Sequence, residues 1–156
     1  MKLTTFTDYS LRVLIYLAIE PTRRVTIAEI ANSFRISENH LVKVVHFLGQ
    51  SGWLANSRGK GGGLSLAKAP RNIGIGAVVR LTEGADQLAE CFGDSLDPCA
   101  IARICQLRTV LGEAVDAFYG VLDDYTLADL VKNRKPLGKA LFVDEPLWGG
   151  HTRSRV

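Results

Sequence analysis

Three cysteines are the residues of this sequence whose type and spacing best suit chemistry. Seven residues separate the first from the second and five separate the second from the third: Cys91, Cys99 and Cys105. A lone cysteine is usually a small buried hydrophobic residue. Three thiols so close together on a polar stretch favour binding of a metal ion or a cluster, and soft thiolates suit zinc, copper(I) and iron–sulfur clusters.

The spacing of these cysteines departs from that of ordinary zinc sites, whose ligands come in Cys-x2–4-Cys pairs. On a continuous helix, Cys99 and Cys105 would point about 120° apart, so a shared centre requires a non-helical segment between them. No histidine lies near the three thiols in the sequence. A fourth ligand must therefore come from elsewhere.

The composition is that of one soluble globular domain. Hydrophobic residues make up 47% of the 156 residues and charged residues 22%, which excludes general disorder. An odd number of clustered cysteines is not a secreted disulfide framework. The longest apolar run near the start, residues 13–19, is too short to cross a bilayer and lacks the features of a signal peptide. We therefore predict a cytoplasmic protein without a membrane partner.

Charge is divided unevenly between the two halves of the chain. Residues 1–80 carry 11 Lys and Arg against 4 Asp and Glu, a net +7, whereas residues 81–156 carry 8 against 12, a net −4. The overall net charge of +3 conceals this division. A polyanionic partner is therefore expected for the first half only.

Capping signals in the first third of the chain predict three helices. A Thr-x-x-acid pattern opens the first two and a serine N-cap opens the third: Thr5 with Asp8, Thr26 with Glu29, and Ser37. Hydrophobic periodicity extends the first helix to about residue 20 and the third to about residue 50. A short second helix, a tight turn and a third helix predict a helix-turn-helix.

The predicted third helix is amphipathic. At about 100° per residue, its apolar residues share one arc: Leu41, Val44, Val45 and Leu48. The opposite face carries amide, cationic and imidazole groups, which suit base edges and phosphates. An ordinary solvated face is the alternative, and the helix-turn-helix context favours DNA. The predicted DNA-contacting residues of this helix are Asn39, His40 and Lys43.

A glycine-rich hairpin follows the third helix. Residues 53–57 and 64–67 have the pattern of two short strands around a tip with four glycines and two cations, Arg58 and Lys60. The glycine patterns of nucleotide-binding loops do not occur in it. A hairpin directly after a helix-turn-helix is a wing, so Arg58 and Lys60 are predicted to contact the DNA backbone or a minor groove. An ordinary mobile hairpin is the alternative.

The second half of the chain predicts a short helix over residues 73–81, an irregular cysteine loop and a longer helix. In the longer helix, apolar residues recur at alternating steps of four and three: Leu107, Leu111, Ala114, Phe118, Val121 and Tyr125. This heptad seam favours pairing with a second subunit. A dimer would hold two recognition helices about one DNA turn apart, on a near-palindromic operator. A helix packed only on its own domain is the alternative.

The last residues predict one more capped helix and a tail. Thr126 and Asp129 form a capping-box pattern, and the chain from Pro136 onward is predicted to be loosely held, above all residues 146–156. The predicted fold is mainly α with a small β-hairpin wing. It comprises a winged helix-turn-helix region (1–80), a cysteine-containing cluster-binding loop (81–106), a dimerisation helix with a short C-terminal helix (107–145) and a flexible tail (146–156).

Several segments together resemble a known family. They are TTFTDYSLRVLIYLA, ISENHLVKVVHFL, RGKGGGLSLAK, IGIGAVVRLTEG, the three-cysteine loop and YTLADLVKN. On these segments the chain resembles the winged-helix iron–sulfur transcription regulators over residues 2–143, and among them the repressors that sense nitric oxide. The Arg-Gly-x-Gly-Gly-Gly wing and the three-cysteine loop are the most specific parts of the likeness.

The resemblance implies a homodimeric repressor with one iron–sulfur cluster per subunit, 4Fe-4S in preference to 2Fe-2S. Cys91, Cys99 and Cys105 match the cluster cysteines of the family. Asp8 matches a carboxylate that supplies the fourth ligand from across the dimer, so the ligand would be Asp8 of the partner subunit; a helix cap is its structural alternative. Nitric oxide would break iron–thiolate bonds, relax the cysteine loop and lower the affinity for the operator.

Two other interpretations of the cysteines stay open. Iron-responsive relatives called RirA share the Cys-x7-Cys-x5-Cys spacing and would respond to cluster loss when iron is scarce, although Asp8 favours the nitric-oxide branch. A cluster-free thiol or zinc redox regulator would use the same cysteines and would purify colourless without oxygen. An enzyme is the class least expected, because no motif combines a nucleophile, a base and an orienting group.

Overall fold

The computed structural model describes residues 2–57, 59, 61–84, 101 and 104–142. Within these residues the chain forms a mainly helical fold with one antiparallel hairpin, as the sequence predicts. In chain order, the elements are α1 (Thr5–Ile19), α2 (Ile27–Phe34), α3 (Glu38–Gln50), β1 (Leu54–Ser57), β2 (Gly63–Leu66), a single 3-10 turn (Pro70–Asn72), α4 (Ile75–Glu83), α5 (Gln106–Asp123), α6 (Leu127–Leu130) and α7 (Arg134–Leu141).

Helix α1 begins one residue earlier than the sequence predicts. Thr4, not Thr5, is the N-cap, because its backbone is extended and its Oγ1 accepts a hydrogen bond from the Thr7 amide at 3.2 Å. Asp8 is then the fourth residue of the helix, one position beyond the acid of a capping box. Its carboxylate bonds to the Arg12 guanidinium instead. The interpretation of Asp8 as a helix cap is therefore wrong.

Hydrogen bonds join the start of α1 to the end of α4. The Thr4 amide donates to Glu83 Oε1 at 2.9 Å, and Thr4 Oγ1 donates to the same oxygen at 3.1 Å. One turn further along, Thr7 Oγ1 donates to Thr82 Oγ1 at 2.8 Å, and both threonines are buried. These bonds satisfy polar groups that would otherwise be costly to bury, and they join the two halves of the chain.

Helices α2 and α3 form the predicted helix-turn-helix. The Glu29 amide donates to Thr26 Oγ1 at 3.2 Å, so Thr26 caps α2 as predicted. The Glu29 carboxylate forms an ion pair with Arg23. Arg35 ends α2 in the left-handed conformation with φ of 54°. Ser37 is the N-cap of α3 as predicted, through its extended backbone and not through a side-chain hydrogen bond.

The hairpin is anchored to the segment that precedes α2, which the sequence did not predict. Strands β1 and β2 pair with Leu54 opposite Leu66. Leu64 also forms an isolated bridge with Val25, through backbone hydrogen bonds of 3.1 and 2.8 Å. Gly63 permits this approach: its φ is 149°, and a Cβ on it would lie 3.0 Å from the Val25 carbonyl oxygen.

Helix α1 is the centre of the packing and contacts α3, α4, α6, α7 and β2. The most completely buried side chains come from both halves of the chain: Val13, Leu14, Leu17, Ile30, Leu41, Leu48, Val78 and Leu127. Burial of one such side chain stabilises a fold by about 1.5–3 kcal/mol. The core therefore holds the helix-turn-helix and the second half together around α1.

Helix α5 packs on α4. Near its C-terminal end, Asp123 accepts two hydrogen bonds of 2.6 Å from the Arg80 guanidinium of α4. The same guanidinium lies over the Tyr119 ring, 4.5 Å from its centroid. Backbone bonds then continue the contact, since the Leu127 amide donates to the Ile73 carbonyl at 2.8 Å. The orientation of α5 is thus set mainly by its C-terminal half.

The chain from Pro136 is not a loose tail as far as residue 142, and that prediction is wrong there. Residues 134–141 form α7, in which Pro136 occupies the first turn, where a missing amide costs little. Phe142 packs edge-on against the Tyr16 ring with centroids 5.1 Å apart, and Ser33 Oγ donates to the Leu141 carbonyl at 3.0 Å. The predicted tail, residues 146–156, lies outside the described residues. The capping box of Thr126 is present as predicted.

Candidate nucleic-acid interface and sensor residues

Helix α3 has one buried and one exposed face, divided as the sequence predicts. Its buried residues are Leu41, Val44, Val45 and Leu48, none more than 6% exposed. The three predicted contact residues are all exposed: Asn39, His40 and Lys43. Burial of one face against the core fixes the rotation of the helix, so these polar side chains point outward together. That arrangement is the one a recognition helix requires.

Of these three side chains, His40 lies near an aromatic ring of another helix. Its ring lies 6.3 Å from the Tyr9 ring of α1, centroid to centroid. Its backbone amide donates to the Ser37 carbonyl at 3.1 Å in the first turn of α3. The N-terminal end of α3, where recognition helices approach base edges, is therefore in contact with the start of α1.

The two predicted wing cations, Arg58 and Lys60, lie outside the described residues. Their neighbours Gly59 and Gly61 adopt φ values of 97° and 83°, which favour glycine. The Gly62 amide donates to the Gly59 carbonyl at 2.8 Å and so closes a tight turn at the tip. The described glycines of the tip thus form a tight turn at the end of the two paired strands.

Two of the three predicted ligand cysteines, Cys91 and Cys99, also lie outside the described residues. Cys105 is a free, half-buried cysteine directly before α5, at its N-cap position. Such a position suits metal ligation, because the positive end of the helix dipole favours a thiolate. Among residues 2–84 and 104–142, as far as they are described, no three His, Cys, Asp or Glu side chains form a metal-binding group.

Asp8 lies near the start of α1 with its side chain 44% exposed. Its two oxygens contact Arg12 Nε at 3.1 Å and Arg12 Nη2 at 2.9 Å. The same guanidinium lies over the Phe34 ring at the end of α2, 5.7 Å from the centroid. A carboxylate held by an exposed ion pair keeps oxygen lone pairs that a metal could take, so Asp8 fits a ligand role chemically.

Helix α5 presents an exposed apolar stripe that differs from the predicted seam. Its members recur at steps of three and four along the helix: Leu107, Val110, Ala114, Ala117 and Val121. The predicted seam was wrong at Phe118, which packs against the core, and Leu111 is half-buried. Both sets have heptad spacing, and only the packing of α5 on α4 separates them. Val110 and Ala117 were missed for that reason.

Two carboxylates near the end of α5 have altered proton affinity. The hydrogen bonds from Arg80 lower the pKa of Asp123. The hydrogen bond from Lys132, together with those from Thr126, lowers the pKa of Asp129 far below its ordinary value. Both carboxylates therefore stay ionised at neutral pH. They stabilise the junction of α4, α5 and α6 and lie apart from the exposed polar face of α3.

No helix within the described part of the chain is both long enough and apolar enough to span a membrane.

A helix-turn-helix with an exposed polar recognition face, followed by a hairpin wing, defines a winged-helix DNA-binding protein. Residues 3–133 match the model of a family named Rrf2, described as an iron-dependent transcriptional regulator. The chain belongs to the Rrf2 family. It is thus a DNA-binding transcription regulator and not an enzyme.

Curated relatives in several bacteria are similar to this chain over nearly their whole length. The HTH-type transcriptional regulator NsrR of Bacillus subtilis is 49% identical over 146 residues, which cover 93% of this chain and 100% of that protein. NsrR of Geobacillus kaustophilus is 47% identical over 142 residues, which cover 90% of this chain and 97% of that protein.

Solved structures share the fold. IscR of T. potens superimposes with a TM-score of 0.71 at 25% identity, over 88% of this chain and 90% of that one. CymR of B. subtilis, the global cysteine regulator, superimposes with a TM-score of 0.69 at 29% identity, over 85% of this chain and 98% of that one.

Proposed function

We propose that the chain is a homodimeric transcriptional repressor that senses nitric oxide through an iron–sulfur cluster and releases its operator when the cluster reacts. One observation carries the regulator assignment: the 49% identity to the HTH-type transcriptional regulator NsrR of Bacillus subtilis over that protein's full length. The resemblance of the sequence segments to repressors that sense nitric oxide supports the choice of signal. The geometry of the winged helix-turn-helix supports the DNA-binding part. A transcription regulator of this kind works in the cytoplasm, with double-stranded DNA as its partner.

The proposed DNA contacts divide between the recognition helix and the wing. Asn39 and Lys43 are exposed on the polar face of α3 and His40 is exposed at its flank. An amide and a cation in these positions can reach base edges and phosphates in the major groove. Arg58 and Lys60 flank Gly59 at the tip of the hairpin, where cations can contact phosphates or a narrow minor groove. The net charge of +7 on residues 1–80 favours this half for phosphate contact.

The proposed cluster ligands are Cys91, Cys99 and Cys105 of one subunit and Asp8 of the partner subunit. A bound cluster, 4Fe-4S in preference to 2Fe-2S, would supply iron that reacts with nitric oxide. Cys105 is the residue that precedes α5, so a change in its ligation acts directly on the start of that helix. Asp8 is in the first turns of α1, whose start is bonded to Glu83 at the end of α4. Cys105 therefore adjoins a helix that packs on α4, and Asp8 lies in α1 within the DNA-binding half itself.

We propose a second copy of this chain as the occupant of the apolar stripe on α5. Leu107, Val110 and Val121 are 63%, 59% and 59% exposed, and a stripe of this length at heptad spacing is typical of paired helices. Pairing would bury these side chains and bring two recognition helices to one DNA molecule. A near-palindromic operator with half-sites about one turn apart follows from that symmetry.

Two other functions are favoured by specific observations. The matching family model is described as an iron-dependent regulator, which favours a RirA-like repressor that responds to cluster loss. A CymR structure from Staphylococcus aureus is an oxidised form, which favours a cluster-free thiol or zinc redox regulator. Both would use the same three cysteines. The visible absorption of the purified protein and its response to nitric oxide, iron loss and oxidation must therefore distinguish these functions from the one proposed.

The deciding experiment is a titration with nitric oxide under anaerobic conditions. The protein is purified without oxygen, its visible absorption and its iron and sulfide content are measured, and operator binding is followed as nitric oxide is added. Loss of binding in step with loss of the cluster absorption is expected. Release by an iron chelator and not by nitric oxide would favour the iron-responsive function, and a colourless protein would favour the thiol or zinc regulator.

A further inference from the structure

Val42 is an apolar side chain on the otherwise polar, exposed face of α3. It is 50% exposed, whereas its apolar neighbours Leu41 and Val44 are 0% and 1% exposed. Angles of about 100° per residue place Val42 within the same arc of roughly 100° as His46, Asn39 and Lys43. These three polar residues are all exposed as well. Val42 is thus part of the surface that the recognition helix offers to DNA.

Valine is an unfavourable choice for this position on grounds of folding alone. Its β-branched side chain has lower helix propensity than the straight-chain residues that suit an exposed helical site. Among the described residues, Val42 does not belong to the side chains that pack against the core. A single exposed valine is common on protein surfaces, and only its position among the polar residues of the recognition helix suggests a ligand.

The major groove offers one apolar group for such a side chain, the C5-methyl group of thymine. We propose that Val42 contacts this methyl group and selects a T·A base pair at one position in each half-site. This inference rests on the proposed DNA-binding role of α3. Cytosine has a donor amine and no methyl group at the corresponding edge, so it would lose the apolar contact and leave the amine facing a valine.

The test compares thymidine with deoxyuridine, which differ by this methyl group alone. An operator is first selected from a pool of random duplexes with the anaerobically purified protein. Each thymine of the selected duplex is then replaced singly by deoxyuridine, and dissociation constants are measured at one salt concentration. For the unsubstituted protein, we expect about fourfold weaker binding at one position in each half-site, the factor that corresponds to burial of one methyl group.

Variants at Val42 and at the neighbouring Lys43 distinguish a contact with the thymine methyl group from a general loss of DNA affinity. Val42→Ala should bind the thymine duplex more weakly and should not distinguish thymine from deoxyuridine at that position. Val42→Ile keeps the branch at Cβ and should retain the distinction. Lys43→Ala is the matched control: it should weaken binding and still show the fourfold distinction, because its charge acts elsewhere. Circular dichroism should show that all three variants are folded, since both side chains are exposed.

The outcomes distinguish this inference from the function on which it rests. If no thymine is sensitive to loss of its methyl group, or if Val42→Ala keeps the full distinction, the methyl contact is overturned while the DNA-binding function stands. If no duplex is selected at all, the DNA-binding role of α3 and this inference fail together.

Discussion

At the scale of single residues, Asp8 shows how the surroundings of a side chain separate alternatives that the sequence leaves open. Its sequence pattern suits a helix cap as well as a metal ligand. In the structure Thr4 occupies the cap position and Asp8 lies beyond it, paired with Arg12 on the protein surface. An exposed ion pair contributes little to stability. The Asp8 carboxylate is therefore not needed to stabilise the start of α1, in agreement with the proposed ligand role.

Substitution of Asp8 should affect the cluster more than the fold. Asp8→Ala is expected to change the free energy of unfolding of the cluster-free protein by less than about 1 kcal/mol, and to alter the visible absorption of the cluster-loaded protein. Urea unfolding and anaerobic absorption spectroscopy measure the two effects. Glu20→Ala is the matched control, because Glu20 is 52% exposed and lies 3.9 Å from Arg23 at the other end of α1. Identical spectra for both variants would contradict the ligand assignment.

At the scale of elements, the wing depends on a contact distant in sequence. Strand β2 pairs with β1 and also with Val25 before α2, so the hairpin is held on two sides. That second contact fixes the direction in which the wing leaves the helix-turn-helix. Helix α5 is oriented in a similar way, because its packing on α4 decides which of two heptad-spaced stripes faces outward.

Gly63 is the residue that the wing contact requires. Gly63→Ala is expected to lower the free energy of unfolding by about 1–3 kcal/mol, because φ is unfavourable for alanine and the Val25 backbone cannot move aside. Gly49→Ala is the control: nothing lies within 4 Å of an added Cβ in α3, so stability should rise by up to about 1 kcal/mol. Chemical denaturation measures both. Equal effects would show that the Val25 contact does not constrain the wing.

The stripe on α5 makes a separate prediction about assembly. Val110→Glu is expected to convert the proposed homodimer into monomers and to weaken operator binding, because a charge would be buried in the proposed paired face. Sedimentation velocity measures the assembly state. Thr109→Glu introduces the same charge at an exposed neighbour outside the stripe, and should leave the dimer intact. A dimeric Val110→Glu variant would rule out this face as the interface.

At the scale of the whole molecule, charge and packing have different distributions. The basic first half carries the recognition helix and the wing, and the acidic second half carries α5 and the cysteine stretch. The hydrophobic core nevertheless runs through both halves around α1. A change near α5 can therefore act on the DNA-binding half through packed helices, even though only the first half is suited to face phosphate.

Acid should weaken the junction of α5 and α6. The Lys132 hydrogen bond lowers the pKa of Asp129 in the folded state below its ordinary value of 3.8. A lowered folded-state pKa contributes stability that is complete above the unfolded-state pKa and is lost as the pH falls below it. Asp129→Asn should therefore be less stable than the unsubstituted protein at about pH 6, with the difference shrinking towards about pH 2.

Unfolding by urea at a series of pH values measures that difference. Lys132→Ala removes the largest cause of the lowered pKa of Asp129 and should reproduce part of the same change in acid dependence. A constant difference between Asp129→Asn and the unsubstituted protein across the whole range would contradict the role of this carboxylate.

Local physics explains what could be predicted from the sequence. Caps and periodicity depend on hydrogen bonds and side chains within one or two turns, so the bounds of α3, the cap of α2 and the box at Thr126 follow from neighbouring residues. The exposed face of α3 follows in the same way, because its four apolar residues share one arc. The candidate DNA-contacting surface of α3 was accordingly predictable before any tertiary contact was known.

Tertiary contacts decided the rest. Thr4 and Thr5 are equally suited to cap α1 by residue type, and Thr4 occupies the cap position with bonds to Glu83, which is 79 positions away. Phe118 and Val110 are equally apolar, and the packing on α4 leaves Val110 exposed. Pro136 ends many helices but lies in the first turn of α7 here, and the last residues of this segment pack on α1 and α2. In each case two local choices have similar energy, and a partner distant in the sequence selects between them.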